Sequence, residues 1–235
     1  GQRRISYLEF HERVKRLANA LVDLGVQPGD TVAVMDWDTH RYLECFFAVP
    51  IIGAVLHTIN IRLSPDQILY TVNHAADTVL MVHDDFVDLA PGLAGQAPSV
   101  KYWVRLCDDA VSVAKGKTDI NFAGEYESLL DSASPRHDMR DFDENIRATT
   151  FYTTGTTGRP KGVYFSQRQL VLHTLGLGIA LSSNPEQGRL HASDVYMPIT
   201  PMFHVHAWGI PYLVTLLGIK QVYPGRYEPA KLLQL

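Results

Sequence analysis

Tyr152-Thr153-Thr154-Gly155-Thr156-Thr157-Gly158-Arg159-Pro160-Lys161-Gly162 is the stretch on which the reading of this chain turns. It sets four threonines, three glycines and one lysine between two apolar runs. Arg147-Ala148-Thr149-Thr150-Phe151-Tyr152 before it reads as a strand, and Val163-Tyr164-Phe165 after it as a second, short one. Ser166 then opens a helical pattern. A glycine-rich turn between strands can point its backbone N–H groups inward as an anion-binding nest. Glycines permit positive φ and close approach of a ligand. The hydroxyls add donors, and Lys161 adds a point charge suited to phosphate. The simplest ligand for such a loop is a polyphosphate.

Of two familiar phosphate-binding patterns, one does not match and the other is disfavoured. The common nucleoside-triphosphate loop needs a serine or threonine directly after its lysine. Here Gly162 follows Lys161, and Arg159-Pro160 separates that lysine from Gly158. Dinucleotide binding needs a different glycine spacing and a helix starting at the last glycine. A surface loop rich in small polar residues is the bland alternative. The ordered Gly/Thr alternation ending in Pro-Lys-Gly counts against it.

The 235 residues are enough for one large domain or two small ones. Hydrophobic content of 46% and charged content of 20% are ordinary for a globular protein. A net charge of −4 gives no basic footprint for nucleic acid. Cys45 and Cys107 lack metal-ligand spacing and point to a reducing, cytoplasmic setting as small buried groups. No apolar run reaches the length of a membrane span. Gly1-Gln2-Arg3-Arg4 precedes a capped helix rather than a signal-peptide core. Without an initiator Met, both ends are expected to be cut or processed.

Strand and helix patterns alternate through the first hundred residues. Ser6-Tyr7-Leu8-Glu9 reads as a capping box, followed by a stripe of Leu8, Val14, Leu17, Leu21 and Leu24. Residues 31–35, 54–58, 78–82 and 100–106 read as strands, the last at or near a sheet edge. Residues 39–52 read as a helix ended or kinked by Pro50. Ser64-Pro65-Asp66-Gln67 starts another. Residues 107–118 are polar and poorly patterned, and 132–143 read as a surface linker. Further helices are expected at 167–181, 207–217 and from Pro229, with strands at 194–199 and 220–223. The expectation is an α/β fold, parallel sheets flanked by helices. It divides into an N-terminal subdomain (1–131), a linker (132–146) and the start of a second α/β subdomain (147–235).

A second constellation is Pro198-Ile199-Thr200-Pro201-Met202-Phe203-His204, at the end of an expected strand. Ligands of open α/β sheets collect beyond the carboxyl ends of strands. A Met, a Phe and a His held there would wall an apolar pocket with one polar group. Trp208 lies one helical turn beyond His204 and could face the same side. Other readings stand beside this one: His204 as a core histidine bonded to a backbone carbonyl, and Trp208 as core filling. His204-Val205-His206 makes a weak metal site without a nearby carboxylate or cysteine.

Residues 152–163 resemble the phosphate-loop signature of the adenylate-forming (AMP-binding) superfamily, Tyr/Phe-Thr-Ser/Thr-Gly-Thr-Thr-Gly-x-Pro-Lys-Gly-Val. Pro201-Met202-Phe203-His204-Val205-His206-Ala207-Trp208-Gly209 resembles a second motif of that family. With Trp208 after Phe203-His204, it looks most like the medium- and long-chain fatty acyl-CoA synthetases. The resemblance covers almost the whole chain.

The resemblance implies an N-terminal, truncated part of an ATP-dependent fatty acyl-CoA synthetase fold. A carboxylate attacks the α-phosphate of Mg-ATP, and the thiol of coenzyme A then displaces AMP. Thr153, Thr154, Gly155, Thr156, Thr157, Gly158 and Lys161 take the phosphate-binding places, and Thr153 that of the Mg²⁺-holding hydroxyl. Phe203, His204 and Trp208 take the acyl-pocket places, and Lys161 and His204 the catalytic ones. The family's magnesium-binding glutamate, ribose-binding aspartate and C-terminal lysine are absent, so the piece alone is expected to be inactive. The resemblance leaves open a homodimer through the N-terminal region and peripheral membrane contact. Two departures stand out: Ser166-Gln167 where the family commonly has a histidine after the serine, and His206 where a small or amide residue is usual. An aryl or short-chain acid ligase, and a non-catalytic nucleotide- or lipid-binding homologue, are the alternatives.

Overall fold

Polar caps and apolar stripes set the helix boundaries. The computed structural model describes residues 3–108, 120–154, 158–183 and 189–235. Helix α1 (Tyr7–Asp23) starts at Ser6, whose side chain accepts the Glu9 N–H, and buries Val14, Leu17 and Leu21. Leu8, expected on the same stripe, is 80% exposed. Six residues of helix rotate it about 120° from Val14. Strand β1 (Thr31–Met35) is buried throughout, as a strand covered on both faces should be. Helix α2 (His40–Ile51), capped by Thr39, holds Pro50 in its last turn. Proline has no N–H to offer the carbonyl four residues back. That carbonyl, Phe46 O, accepts the Tyr212 hydroxyl at 3.3 Å instead.

Strand β2 (Val55–Thr58) leads to α3 (Pro65–Ala75), where Ser64 and Gln67 complete both halves of the expected capping box. Strand β3 (Asp77–His83), short helix α4 (Ala90–Ala94) and β4 (Tyr102–Leu106) follow. Strand β5 (Phe122–Glu125) and helix α5 (Tyr126–Ser132) had no counterpart in the sequence reading. Then come β6 (Arg147–Thr153), β7 (Lys161–Ser166) and α6 (Gln167–Ser182). The expected strand at 194–199 is reduced to β8 (Val195–Tyr196), which pairs with β9 (Lys220–Gln221). Helices α7 (Ile210–Leu216) and α8 (Pro229–Leu232) complete the described elements.

One sheet of seven strands runs in the order β5-β4-β3-β1-β2-β6-β7. All neighbours are parallel except β6 and β7, which form an antiparallel edge hairpin. One apolar core packs α1, α2 and α5 on one face of the sheet, and the other packs α3 and α4 on the opposite face. This is the expected α/β class. The sheet runs past residues 132–146, because β6 pairs with β2. Those residues lie against α1: Arg16 Nη1 donates to Ala133 O at 2.8 Å, and Asn19 Nδ2 to Arg136 O at 2.6 Å.

A buried ionic cluster joins α1, α2 and α5. Arg13 Nε donates to Glu44 Oε1 at 2.7 Å and its Nη1 to Glu127 Oε2 at 2.8 Å, while the Tyr126 hydroxyl donates to Glu44 Oε2 at 2.6 Å. Burial alone would lower the Arg13 pKa, but its bonds to Glu127 and Glu44 more than reverse that. A second clasp joins the two halves of the chain. Asp38, 1% exposed, accepts the Met202 N–H at 2.7 Å and the Tyr227 hydroxyl, and its backbone O accepts the Gly225 N–H at 2.8 Å. Burial pushes its carboxyl from an ordinary 3.8 up to about 6, against the opposing bonds from Tyr227 and Met202.

Two outcomes follow for stability. Glu44→Ala leaves Arg13 with Glu127 alone and the buried Tyr126 hydroxyl without its acceptor, and should destabilise the protein by about 1–3 kcal/mol in urea titration. Asp38 binds its proton more tightly folded than unfolded. Its contribution is therefore greatest below about pH 4 and declines as pH rises to about 6. Asp38→Asn should flatten that part of the stability profile and raise stability at neutral pH by about 1–3 kcal/mol.

Candidate functional site

The glycine- and threonine-rich loop joins β6 to β7, so its two stems are held by sheet hydrogen bonds. Tyr152 stands opposite Gly162, and Thr153 opposite Lys161. The backbone thus brings the first hydroxyl and the last ammonium of the motif to the same rung. Thr153 is half-buried, while Thr154, Gly158 and Lys161 are exposed. Gly155, Thr156 and Thr157 lie outside the described residues. Gly162 has a packing reason to be glycine: a Cβ there would meet the Tyr152 ring at 3.3 Å.

Helix α3 braces both stems. The Tyr152 hydroxyl shares a 2.7 Å hydrogen bond with His74 Nδ1. The Arg159 guanidinium lies over the Tyr70 ring, 5.2 Å from its centroid, and Tyr70 is 5.5 Å from His74. Beneath Tyr152, at 5.1 Å, lies His57, whose Nδ1 is 2.8 Å from Asp77 Oδ2. Burial raises the Tyr152 phenol and the Asp77 carboxyl above their ordinary values, with His57 opposing the shift of Asp77. The sequence reading missed Tyr70 and His74. Their only sign was the i,i+4 spacing that places them on one helix face.

The Pro201–His204 segment lies against the neighbouring strand end. Thr58 Oγ1 donates to Phe203 O at 3.3 Å, and Thr58 is opposite Phe151, two residues before Thr153. Loop stem and wall therefore share the carboxyl ends of β2 and β6, where such sheets bind ligands. Met202 and Phe203 are buried, and His204 is exposed. The core-histidine reading belongs to His206 instead. It is 2% exposed, with its ring 5.6 Å from Phe46 and 5.1 Å from Phe151. Burial, with a smaller contribution from His57, pushes its pKa down to about 3, so it stays neutral.

The expected helix at 207–217 starts only at Ile210. Before it, Val205, His206, Ala207, Trp208 and Gly209 all have positive φ, from 48° to 73°. Side chains resist this left-handed conformation by about 1–2 kcal/mol per residue, so surrounding packing must hold it. His206 and Ala207 are buried, and His173 Nε2 lies 3.1 Å from Trp208 O. At Gly209 a Cβ would come within 2.8 Å of the His173 ring. Trp208 on this turn is 61% exposed, which removes the core-filling reading. With Phe165, Leu170, His173, His206 and Tyr212, it lines an apolar cleft of about 60 Å³. Phe203 and His204 do not line that cleft.

Comparison with known proteins identifies the family. The family model described as AMP-binding enzyme matches residues 1–235. The chain is 41% identical over 233 residues to a long-chain-fatty-acid–CoA ligase of Thermus thermophilus, covering 99% of this chain and 40% of that one. It is 37% identical to a medium-chain-fatty-acid–CoA ligase of Ectopseudomonas oleovorans, covering 94% and 39%. It thus spans about 40% of the length of these curated relatives. Among solved structures, a putative long-chain-fatty-acid CoA ligase from Rhodopseudomonas palustris superposes with a TM-score of 0.79 at 26% identity, covering 97% of this chain and 52% of that one. The anthranilate CoA ligase AuaEII, in complex with anthranoyl-AMP, shares the fold with a TM-score of 0.81 at 21% identity, covering 96% and 41%. With the whole chain matched by the family model, the protein belongs to the AMP-binding enzyme family.

Proposed function

We propose that the full-length protein is an ATP-dependent fatty acid:CoA ligase, to which this chain contributes the phosphate loop and part of the acid side. The supporting observation is the Thr153–Lys161 rung beside the Phe203 wall. A carboxylate oxygen of the acid attacks the α-phosphorus of ATP, and the bond to the pyrophosphate oxygen breaks. The thiol sulfur of coenzyme A then attacks the acyl carbonyl, and AMP leaves. Charge gathers on phosphate oxygens, so fixed donors and cations carry most of the rate enhancement.

In this reading the loop amides and the hydroxyls of Thr154, Thr156 and Thr157 hold the β- and γ-phosphates, and Lys161 supplies the balancing charge. The half-buried Thr153 hydroxyl is a hard oxygen donor that fits Mg²⁺. The metal, when bound, neutralises phosphate charge. Phe203 and His204 orient the carboxylate end, and Trp208 and its apolar cleft meet the acyl chain. The relatives' fatty-acid specificity supports the substrate class.

Pyrophosphate release by the full-length protein, screened over fatty, short-chain and aryl acids, tests the reading. Activity should be highest with a medium- or long-chain fatty acid. Thr153→Ala and Lys161→Ala should each lower it by roughly 10²–10³-fold. Wild-type rates in both variants would refute the assignment of the loop.

A further inference from the structure

The Pro198–His204 stretch carries no regular helix or strand, so something outside it must set its position. Pro198 and Pro201 have no N–H. His204 N donates to Pro201 O at 2.9 Å, closing a small turn that carries His204. Besides the Ala207 N–H, which donates to His204 O at 3.0 Å from the turn that follows, two polar contacts from distant parts of the chain hold residues 201–204 among the described residues. One is the Thr58 hydroxyl on Phe203 O at 3.3 Å, and the other is the Asp38 carboxylate on Met202 N at 2.7 Å. The second is shorter and charge-assisted, which makes it the stronger.

We propose, on the acid-side reading of that wall, that Asp38 is a positioning residue for the acid substrate: through the Met202 amide it fixes where Phe203 and His204 stand. Its second oxygen accepts the Tyr227 hydroxyl, which also lies 2.9 Å from Pro198 O. Its backbone O accepts the Gly225 N–H. One aspartate just past the end of β1 thus gathers both ends of the wall and the 225–227 segment.

Two charges flank the clasp. Asp36, from the same loop, repels the carboxylate, and Arg62, from the segment after β2, attracts it. Arg62 also lies over the Phe203 ring, 5.7 Å from its centroid. Tyr42 on α2, Tyr196 on β8, and Tyr223 also feel the Asp38 charge, beside the bonded Tyr227. Asp38 itself touches no substrate; it acts through the backbone of Met202. Reacting groups displaced by about 1 Å can lose a hundredfold in rate.

The test uses the full-length protein, with steady-state kinetics and hydrogen exchange over residues 198–204. Asp38→Ala should raise the KM for the fatty acid by roughly tenfold or more while the KM for ATP stays within about twofold. It should also speed exchange over 198–204 without changing β1 to β3. Asp38→Asn keeps an acceptor for the Met202 N–H and should restore slow exchange and the acid KM to within about threefold. A folded Asp38→Ala protein with wild-type acid KM or unchanged exchange at 198–204 overturns the proposal. So does an equal rise in both KM values, or failure of the Asn variant to rescue. If Asp38→Ala does not fold, Tyr227→Phe removes one hydroxyl from the clasp. It should raise the acid KM alone by about threefold, and an unaltered value overturns the proposal equally. If the wild-type protein releases no pyrophosphate with any acid, the ligase reading fails. The exchange measurement then still decides whether Asp38 holds the wall.

Discussion

Parallel pairing between β2 and β6, with Leu56 opposite Thr149 and Thr58 opposite Phe151, decides where the chemistry of this chain can sit. It joins segments almost a hundred residues apart in sequence and points both strands the same way. The turn after β6 therefore emerges on the edge where β1 and β2 also end. Had β6 paired antiparallel to β2, the threonine- and glycine-rich loop would have faced the opposite edge, away from Phe203. The β6–β7 hairpin then holds the two stems of that loop at a fixed separation, a task that loop residues alone could not perform.

Beneath the loop lies an arrangement of polar groups that a parallel sheet seldom tolerates. His57 and Asp77 reach across β1 in the sheet's buried interior, from the two strands flanking it, and bond one another at 2.8 Å. Tyr152 covers them and reaches outward to His74. Buried polar groups carry a penalty unless fully bonded, and when bonded they favour a single geometry over near alternatives. The base of the loop is therefore rigid in the same way the apolar core is, though by directional contacts instead of packing volume.

Much of this was legible in the sequence, and the reasons differ by element. The Ser64–Gln67 cap, β1 and the β6–loop–β7 order are local signals, each written within a dozen residues. Helix α5 was missed because its burial rests on two residues, Tyr126 and Leu130, too few to make a stripe. The two histidines of the second motif could not be told apart, because their environments are tertiary. His206 enters an aromatic cage built from α2, β6 and β7, and His204 does not. Asp38 was invisible for a similar reason. An aspartate before a helix reads as a turn residue, and its partner Met202 lies 164 positions away.

The left-handed turn at Val205–Gly209 has a consequence for how this protein can diversify. Glycine would adopt that backbone freely, so each side chain kept there must offset its own conformational cost through contacts. His206 and Ala207 do so by burial, whereas Trp208 holds a large indole mostly in the open. Drift at these positions is bounded from two directions: bulk and β-branching strain the main chain, while small residues leave the cleft without a rim. Tolerated replacements should be few, and they should come as coordinated changes across the turn and His173 rather than singly.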